Sequence, residues 1–409
     1  MTQSEGELAV TEINFVRRYH LEPQPPPARM TGAVGWLRAN LLSTPFNITL
    51  TVIIALLLIW IVPELLKFLV IDAVWTGADR EACLDANVHR EVGACWPFVW
   101  ERLPYFIYGS YPIPQRWRVD VFFALLAIAV VWLLWLKAPR RDLGVIYSFV
   151  VLPIASFILL HGYEPISLPD WHIGPIEIFR QRGYLLRGLP VVDTVLWGGV
   201  LVTLVVASVG IVVSLPIGIL LALGRRSAMP TVRLASTIFI EFVRGVPLIT
   251  VLFMASVMLP LFVPEQLEPD KLLRALIGIA LFASAYMAEV VRAGLQAIPK
   301  GQYEGAMAVG LRYSQRMRLI ILPQALKVTI PNIVNTYIGL FKDTTLVFIV
   351  GIFDLLRTIE VARIDPKWAT PVTSTTGYAV AAIFYLVFCY GMSRYARAME
   401  ARLAAADRR

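Results

Sequence analysis

The sequence predicts an all-α, polytopic membrane helix bundle with about eight transmembrane helices. Three observations carry this. Only 16% of the 409 residues are charged and 57% are hydrophobic, against roughly 25% charged in an ordinary globular domain. Mean hydropathy is +0.67. The apolar residues fall in separate runs, most of them near the roughly 20 residues that about 30 Å of hydrocarbon requires. Lipid offers the backbone no hydrogen-bond partner, so such runs are read as helices.

Residues 1–45 read as a cytosolic tail. Glu5, Glu7 and Glu12, with no apolar run before Pro23, argue against a cleavable signal peptide, and Pro23–Pro27 reads as a short extended linker. The spans are expected at Phe46–Leu66, Val119–Leu136, Leu143–Leu160, Thr194–Leu223, Leu234–Val263, Ala275–Ile298, Val328–Val350 and Gly377–Met392. The first three belong to an N-terminal extension, residues 46–190, with two large external segments, Asp72–Arg118 and His161–Val192. The other five, joined by short connections, form a core over residues 191–398, and a cytosolic tail follows at 399–409. Arg38, Lys137, Arg140, Arg141, Arg225, Arg226, Arg233, Arg312, Arg316, Arg318, Lys327, Arg394, Arg397 and Arg402 fall on one side if both termini are cytoplasmic. The net charge of +8 is therefore read as topology signals and contacts with anionic lipid. No basic block points to nucleic acid.

Catalytic chemistry is hard to find. No G-x-x-x-x-G-K-[ST] loop is present, so this chain is not expected to bind ATP by that route. His20, His89, His161 and His172 are scattered without metal-ligand spacing, and no metal site is expected. Cys83 and Cys95 lie twelve positions apart in the first external segment. On an oxidising side of the membrane such a pair can close a loop worth about 3 kcal/mol; the alternative is two unpaired thiols. Cys389, inside the last span, reads as packing.

The informative polar segment is the cytosolic stretch 299–325. A short helix through Glu304, Gly305 and Ala306 is expected to end at Gly310, the residue suited to a left-handed C-cap. Ser314 can cap a second short helix, which Pro323, after Leu322, is expected to end. Two short helices with a fixed elbow make a rigid knob, a shape for docking.

The spacing Glu304-x-Ala306, Gly310 and Ile320-x-Leu322-Pro323 resembles the EAA loop of ATP-binding-cassette importer permeases, with Gly305 in place of the usual second alanine. Glu241–Pro247, Ala285–Arg292 and Phe341–Leu346 resemble the polar-amino-acid branch, and the extension with Gly93-Ala94-Cys95-Trp96 is similar to the longer subunit of general L-amino-acid systems. The resemblance implies a five-helix type I importer permease core and alternating access. It also implies a second homologous permease subunit, two ATPase subunits that bind ATP and Mg, and a periplasmic amino-acid-binding protein, with this chain in the bacterial inner membrane. This chain would hold no cofactor and no catalytic site.

Charges inside the spans fit such a role. Glu241 and Arg244 share a helix face, Glu289 and Arg292 repeat the spacing, and Lys342-Asp343 interrupts the seventh span. A mid-bilayer charge costs about 2.5–3.5 kcal/mol unless paired or facing water. These residues are therefore either ion pairs that lock helices or the lining of a path for a zwitterion. Glu241 and Arg244 are expected nearer the path, with Lys342 and Asp343 serving structure or gating. Pro216, Pro247 and Pro331 can kink their spans as hinges or as packing features. An ion-coupled secondary transporter or channel is the alternative reading; it leaves the knob unexplained.

Overall fold

A computed structural model describes residues 32–85, 91–135, 138–163, 166–167, 172–173, 176–177, 184–186, 188–264 and 269–406. The linker at Pro23–Pro27, His20, His89, Lys137 and residues 407–409 lie outside these. The chain forms two compact units, Met1–Ile71 and Asp72–Arg409.

In the first unit a short helix, α1 (Gly32–Asn40), precedes α2 (Pro45–Ile71). Thr44 caps α2 by accepting from the Asn47 N–H at 3.2 Å, and Pro45 sits at the first turn, where no backbone donor is missed. None of the residues from Pro45 to Leu66 is buried. The helix is apolar all round, as a lipid-facing segment must be.

The second unit opens with a small module around the Cys83–Cys95 disulfide. Val74 N–H donates to Ala94 O at 2.8 Å and Trp96 N–H to Val74 O at 3.0 Å, which aligns the two strands of chain beside the bond. Helix α3 (Trp96–Tyr108) follows. The spans are α4 (Ile113–Leu134), α5 (Asp142–His161), α6 (Gly199–Arg225), α9 (Lys271–Ala297), α11 (Tyr313–Val350) and α13 (Pro371–Ala406), with two pieces, α7 (Pro230–Gly245) and α8 (Leu248–Leu261), bent by 106°. Counting α2, seven helices are long and apolar enough to cross a membrane, and the bent pair makes eight. Two short antiparallel strand pairs lie in the connection between α5 and α6.

Helices α6 and α9 form the centre. Leu201, Val202 and Val206 of α6 pack with Leu272, Ala275 and Ile279 of α9, and Val119 and Phe122 of α4, Leu160 of α5 and Leu340 of α11 join them. The helices approach closely because Gly218 faces Met287: a Cβ there would stand 2.8 Å from the Met287 side chain. Small residues at crossings serve this purpose in lipid, where hydrophobic burial gives no drive to associate.

Two sequence expectations are corrected. The fifth span, expected as one helix over Leu234–Val263, is broken. Pro247 lacks an N–H and pushes Val246 to an extended conformation (φ −107°, ψ 134°), so the chain turns between α7 and α8. Pro323, expected to end a short helix, instead lies inside α11. A π-helical turn at Met317–Ile321 precedes it and the helix continues through it to Val350.

The extension and the last two helices share a core. Cys83, Cys95, Phe98 and Phe106 pack with Leu355 and Ile359 of α12 (Leu355–Ala362) and with Trp368, which is fully buried. Cys95 N–H donates to Thr376 Oγ1 at 3.0 Å, Arg102 pairs with Asp365, and Lys367 Nζ meets Glu101 at 2.7 Å. The Lys367 hydrogen bond holds the Glu101 carboxyl below the usual range. Asp354 is buried and caps α12 by accepting from Leu356 N–H at 3.0 Å and Arg357 N–H at 3.1 Å.

Two outcomes are expected. Thiol reagents should label neither Cys83 nor Cys95 before reduction, and Cys83→Ser should destabilise the module by about 3 kcal/mol, read as faster proteolysis between residues 72 and 109. Burial pushes the Asp354 carboxyl up to about 6, although two backbone N–H donors oppose this. An unfolded aspartate titrates near 3.9. Between about pH 4 and pH 6 the folded chain therefore holds the extra proton, and stability from this group falls as pH rises through that window. Asp354→Asn should flatten the slope of melting temperature against pH there; an unchanged slope would assign it to another group.

Candidate coupling loop and intramembrane charge cluster

The loop after α9 is built from backbone chemistry first. Ile298 and Pro299 are extended, and α10 (Lys300–Ala308) begins directly after the proline. At its end Leu311 N–H donates to Ala306 O at 3.2 Å and Gly310 N–H to Met307 O at 2.9 Å. This is the paired hydrogen-bond pattern of a left-handed helix stop, and Gly310 supplies the φ of +80° it needs. The next helix starts at Tyr313. Its cap is Arg312, whose N–H donates to Gln315 Oε1 at 3.0 Å; Ser314, expected as the cap, lies within the first turn.

Side chains then fix the elbow. Ala306 is buried, while Glu304, Gly305 and Gly310 are exposed and Leu322 is half-buried. Tyr303 Oη donates to Leu295 O at 2.9 Å and accepts from Arg226 at 3.2 Å, with the guanidinium also over the ring. Gln324 reaches back to Gln302 at 3.2 Å. Beneath the elbow, Met317, Ile321 and Ala325 pack with Ala222, Met287 and Leu295. Met307, Val309 and Tyr313 stay exposed beside Glu304. Anchored on one side, the loop leaves these apolar side chains and Glu304 exposed on the other.

One end of the bundle carries an ion network centred on Glu289 of α9. Its carboxylate accepts from Arg225 of α6 at 2.6 Å and from Arg292 at 2.7 and 2.8 Å, with Arg244 of α7 at 3.8 Å. Arg225 also meets Glu241 at 2.8 Å, Arg292 donates to Gln296 at 2.9 Å, and Arg244 lies over the Tyr286 ring. Three guanidinium groups and two carboxylates leave one positive charge in excess. The structure thus brings together Glu241, Arg244, Glu289 and Arg292, and adds Arg225, which the sequence offered only as a topology signal at a helix end. Pro247 lies at the break after Arg244.

Lys342 and Asp343 stand elsewhere. They end the α-helical part of α11 and form no ion pair with another residue among those described. Leu340 and Ile279 both meet Gly210, and Ile279 is ten residues, about 15 Å, from Glu289 along α9. Lys342 is exposed on this chain at span depth. Among the described residues, no three His, Cys, Asp or Glu side chains converge as a metal site.

The family described as binding-protein-dependent transport system inner membrane component matches residues 214–405. The inner membrane amino-acid ABC transporter permease protein YhdY of Escherichia coli (strain K12) is 46% identical, covering 93% of this chain and 95% of that one. The glutamate/glutamine/aspartate/asparagine transport system permease protein BztC of Rhodobacter capsulatus is 41% identical over 96% of this chain and 99% of its own length. The crystal structure of an amino acid ABC transporter with histidines aligns at 27% identity with a TM-score of 0.44, covering 50% of this chain and 92% of its own. With a relative so similar over nearly the whole chain, and the loop and network inside the matched region, this chain belongs to the binding-protein-dependent transport system inner membrane components, the permeases of ABC transporters.

Proposed function

We propose that this chain is the permease subunit of an ATP-driven importer that moves L-amino acids from periplasm to cytoplasm by alternating access. The observation that carries the reading is the elbow at 299–325, pinned to α9 and α11 on one face and exposed on the other. Glu304, Gly305, Ala306 and Gly310 form the docking helix and its stop, and Leu322 and Pro323 begin the shaft that carries motion into α11. An ATPase subunit takes the exposed face. Two such subunits bind ATP and Mg, a second homologous permease completes the path, and a periplasmic binding protein delivers the amino acid at the far end.

In this reading both termini and the loop are cytoplasmic. Arg225, Arg226, Arg233, Arg312, Arg316, Arg318 and Lys327 lie on the loop side, as the positive-inside rule asks. The Glu289 network acts as a lock that makes α6, α7 and α9 move together. Lys342 and Asp343, unpaired at span depth, are the better candidates for facing the path or the second permease, because such charges need a partner or water. This reverses the division expected from sequence, in which Glu241 and Arg244 stood nearer the path.

Reconstituted with its partners, the chain should show uptake that requires ATP and persists when ion gradients are collapsed; uptake driven by an ion gradient alone would reject the importer reading. Gly310→Val introduces a β-branched residue at φ +80°, a strain of about 1–2 kcal/mol even though a Cβ there meets no neighbour. Substrate-stimulated ATP hydrolysis should fall while insertion into the membrane persists. Gly305→Ala, where a Cβ also meets nothing, should be neutral or stabilising by up to about 1 kcal/mol.

The network separates cleanly by burial. The Glu289 side chain is 16% exposed and Glu241 54%. Glu289→Gln leaves three cations around a neutral amide and should cost about 3–5 kcal/mol. Arg244→Gln, at 3.8 Å and partly exposed, should cost about 1 kcal/mol or less. Lys342→Gln should leave the melting temperature unchanged and alter uptake differently for acidic and basic amino acids. Equal destabilisation by all three, with selectivity intact, would leave a structural role only.

A further inference from the structure

Between α4, α5, α6 and α9 runs an apolar crevice separate from the network and the loop. On α5 its lining extends from Ser148 to His161, thirteen positions or about 20 Å of helix. That spans the roughly 15 Å of one leaflet's hydrocarbon, half of a core of about 30 Å, and reaches into the headgroup region. Leu152, Phe157, Val205, Val209 and Leu276 supply an apolar wall. The polar residues Thr194, Trp197, His161 and Asp270 gather at one end, where α6 and α9 begin, away from the coupling loop.

Two polar atoms in this lining have no partner. Trp197 Nε1 and Ser156 Oγ are buried without a hydrogen bond, in residues 4% and 9% exposed. Ser148, on the same helix, does bond its own backbone, at Gly144 O and 2.9 Å. Buried donors are normally satisfied, so these two point to a missing acceptor. Nearby, Arg118, one turn before the lining residue Phe122 but not itself in the lining, is fully buried; its Nη1 donates to Pro190 O at 2.9 Å and its guanidinium also interacts with the Tyr111 hydroxyl. Asp270 is already engaged, accepting from Thr194 Oγ1 at 2.7 Å and Leu272 N–H at 2.9 Å.

We propose that this crevice binds one phospholipid, an acyl chain lying along α5 and the headgroup at the end away from the coupling loop. The ligand has the same order of chemistry as the lining: an apolar chain for the leucine and valine wall, ester carbonyls to accept from Trp197 and Ser156, and a headgroup at the polar end beside Thr194 and His161. A tryptophan at that level fits the interfacial preference of indole. Water satisfies the polar end alone, since apolar walls stay dry.

The test uses the assembled transporter loaded with phosphatidylethanolamine carrying a diazirine in one acyl chain, washed in detergent, then photolysed. The lipid should survive the wash and label peptides 152–161 and 205–212 above α2, whose lipid contact is general. Val209→Trp or Ser208→Phe fills the crevice and should cut that labelling at least fivefold, with α2 labelling and complex assembly unchanged. Trp197→Phe keeps an aromatic ring but removes the donor and should lower retention about threefold. Equal labelling in both filled variants, or no label above α2, overturns the site. So does a photo-crosslinker at Val209 that captures another protein subunit, which would make the crevice a protein interface.

Discussion

A carboxylate inside an apolar bundle must be neutralised, and Glu289 shows how much of the molecule that requirement organises. Its oxygens accept from Arg225 and Arg292, with Arg244 close by, and so join the end of α6, the end of α7 and the last third of α9. The Glu289 side chain, only 16% exposed, would be costly to bury as a lone charge. Together the charges satisfy one another, and the residual positive charge sits with Arg244, the most exposed of the three cations. The packed residues just below, Ala222, Met287 and Leu295, carry the support of the coupling elbow. Under the proposed coupling role, the loop rests on the ion network and its apolar underlay.

The other end of the bundle is held by different means. There the disulfide module, α3 and Trp368 form one hydrophobic cluster with α12 and α13. The Arg102–Asp365 and Lys367–Glu101 pairs lie on its rim, where exposure limits their worth to under about 1 kcal/mol each. Burial of Phe98, Phe106 and Trp368 therefore contributes most of the hold, at about 1.5–3 kcal/mol for a large apolar side chain. An extension that begins as separate sequence thus becomes part of the support of the last span.

Much of this was legible in the sequence where local chemistry decides the outcome. Long apolar runs give spans because lipid leaves the backbone no choice, and Gly310 marks a left-handed stop because few other residues accept its φ. The broken fifth span was legible only as a kink at Pro247: apolar residues resume directly after Glu241 and Arg244, and a proline can bend a helix without dividing it. Pro323 misled in the opposite sense, since a π-helical turn over Met317–Ile321 lets a helix pass a proline without ending. Arg225 was visible as a charge but not as the partner of Glu289, because 64 positions separate them. Its neighbours Arg226 and Arg233 have the same local context, and only packing of α6 on α9 selects the one that turns inward.

The placement of charge also constrains how the bundle can move. The Glu289 end is cross-linked by ion pairs among three helices, and the far end by a disulfide and aromatic packing. Between them α6 and α9 meet through small residues such as Gly210, which faces Ile279, and among the described residues no ion pair joins them there. Lys342 and Asp343 lie in that middle zone, on α11, which runs unbroken from the coupling elbow to Val350. Among the described residues α11 makes no ion pair between Tyr313 and Lys342, so under the proposed coupling role a displacement at the elbow meets none along this helix. The bent junction at Val246-Pro247 is the one place in the core where a span is already divided, so α8 can shift while α7 stays tied to the network through Glu241 and Arg244.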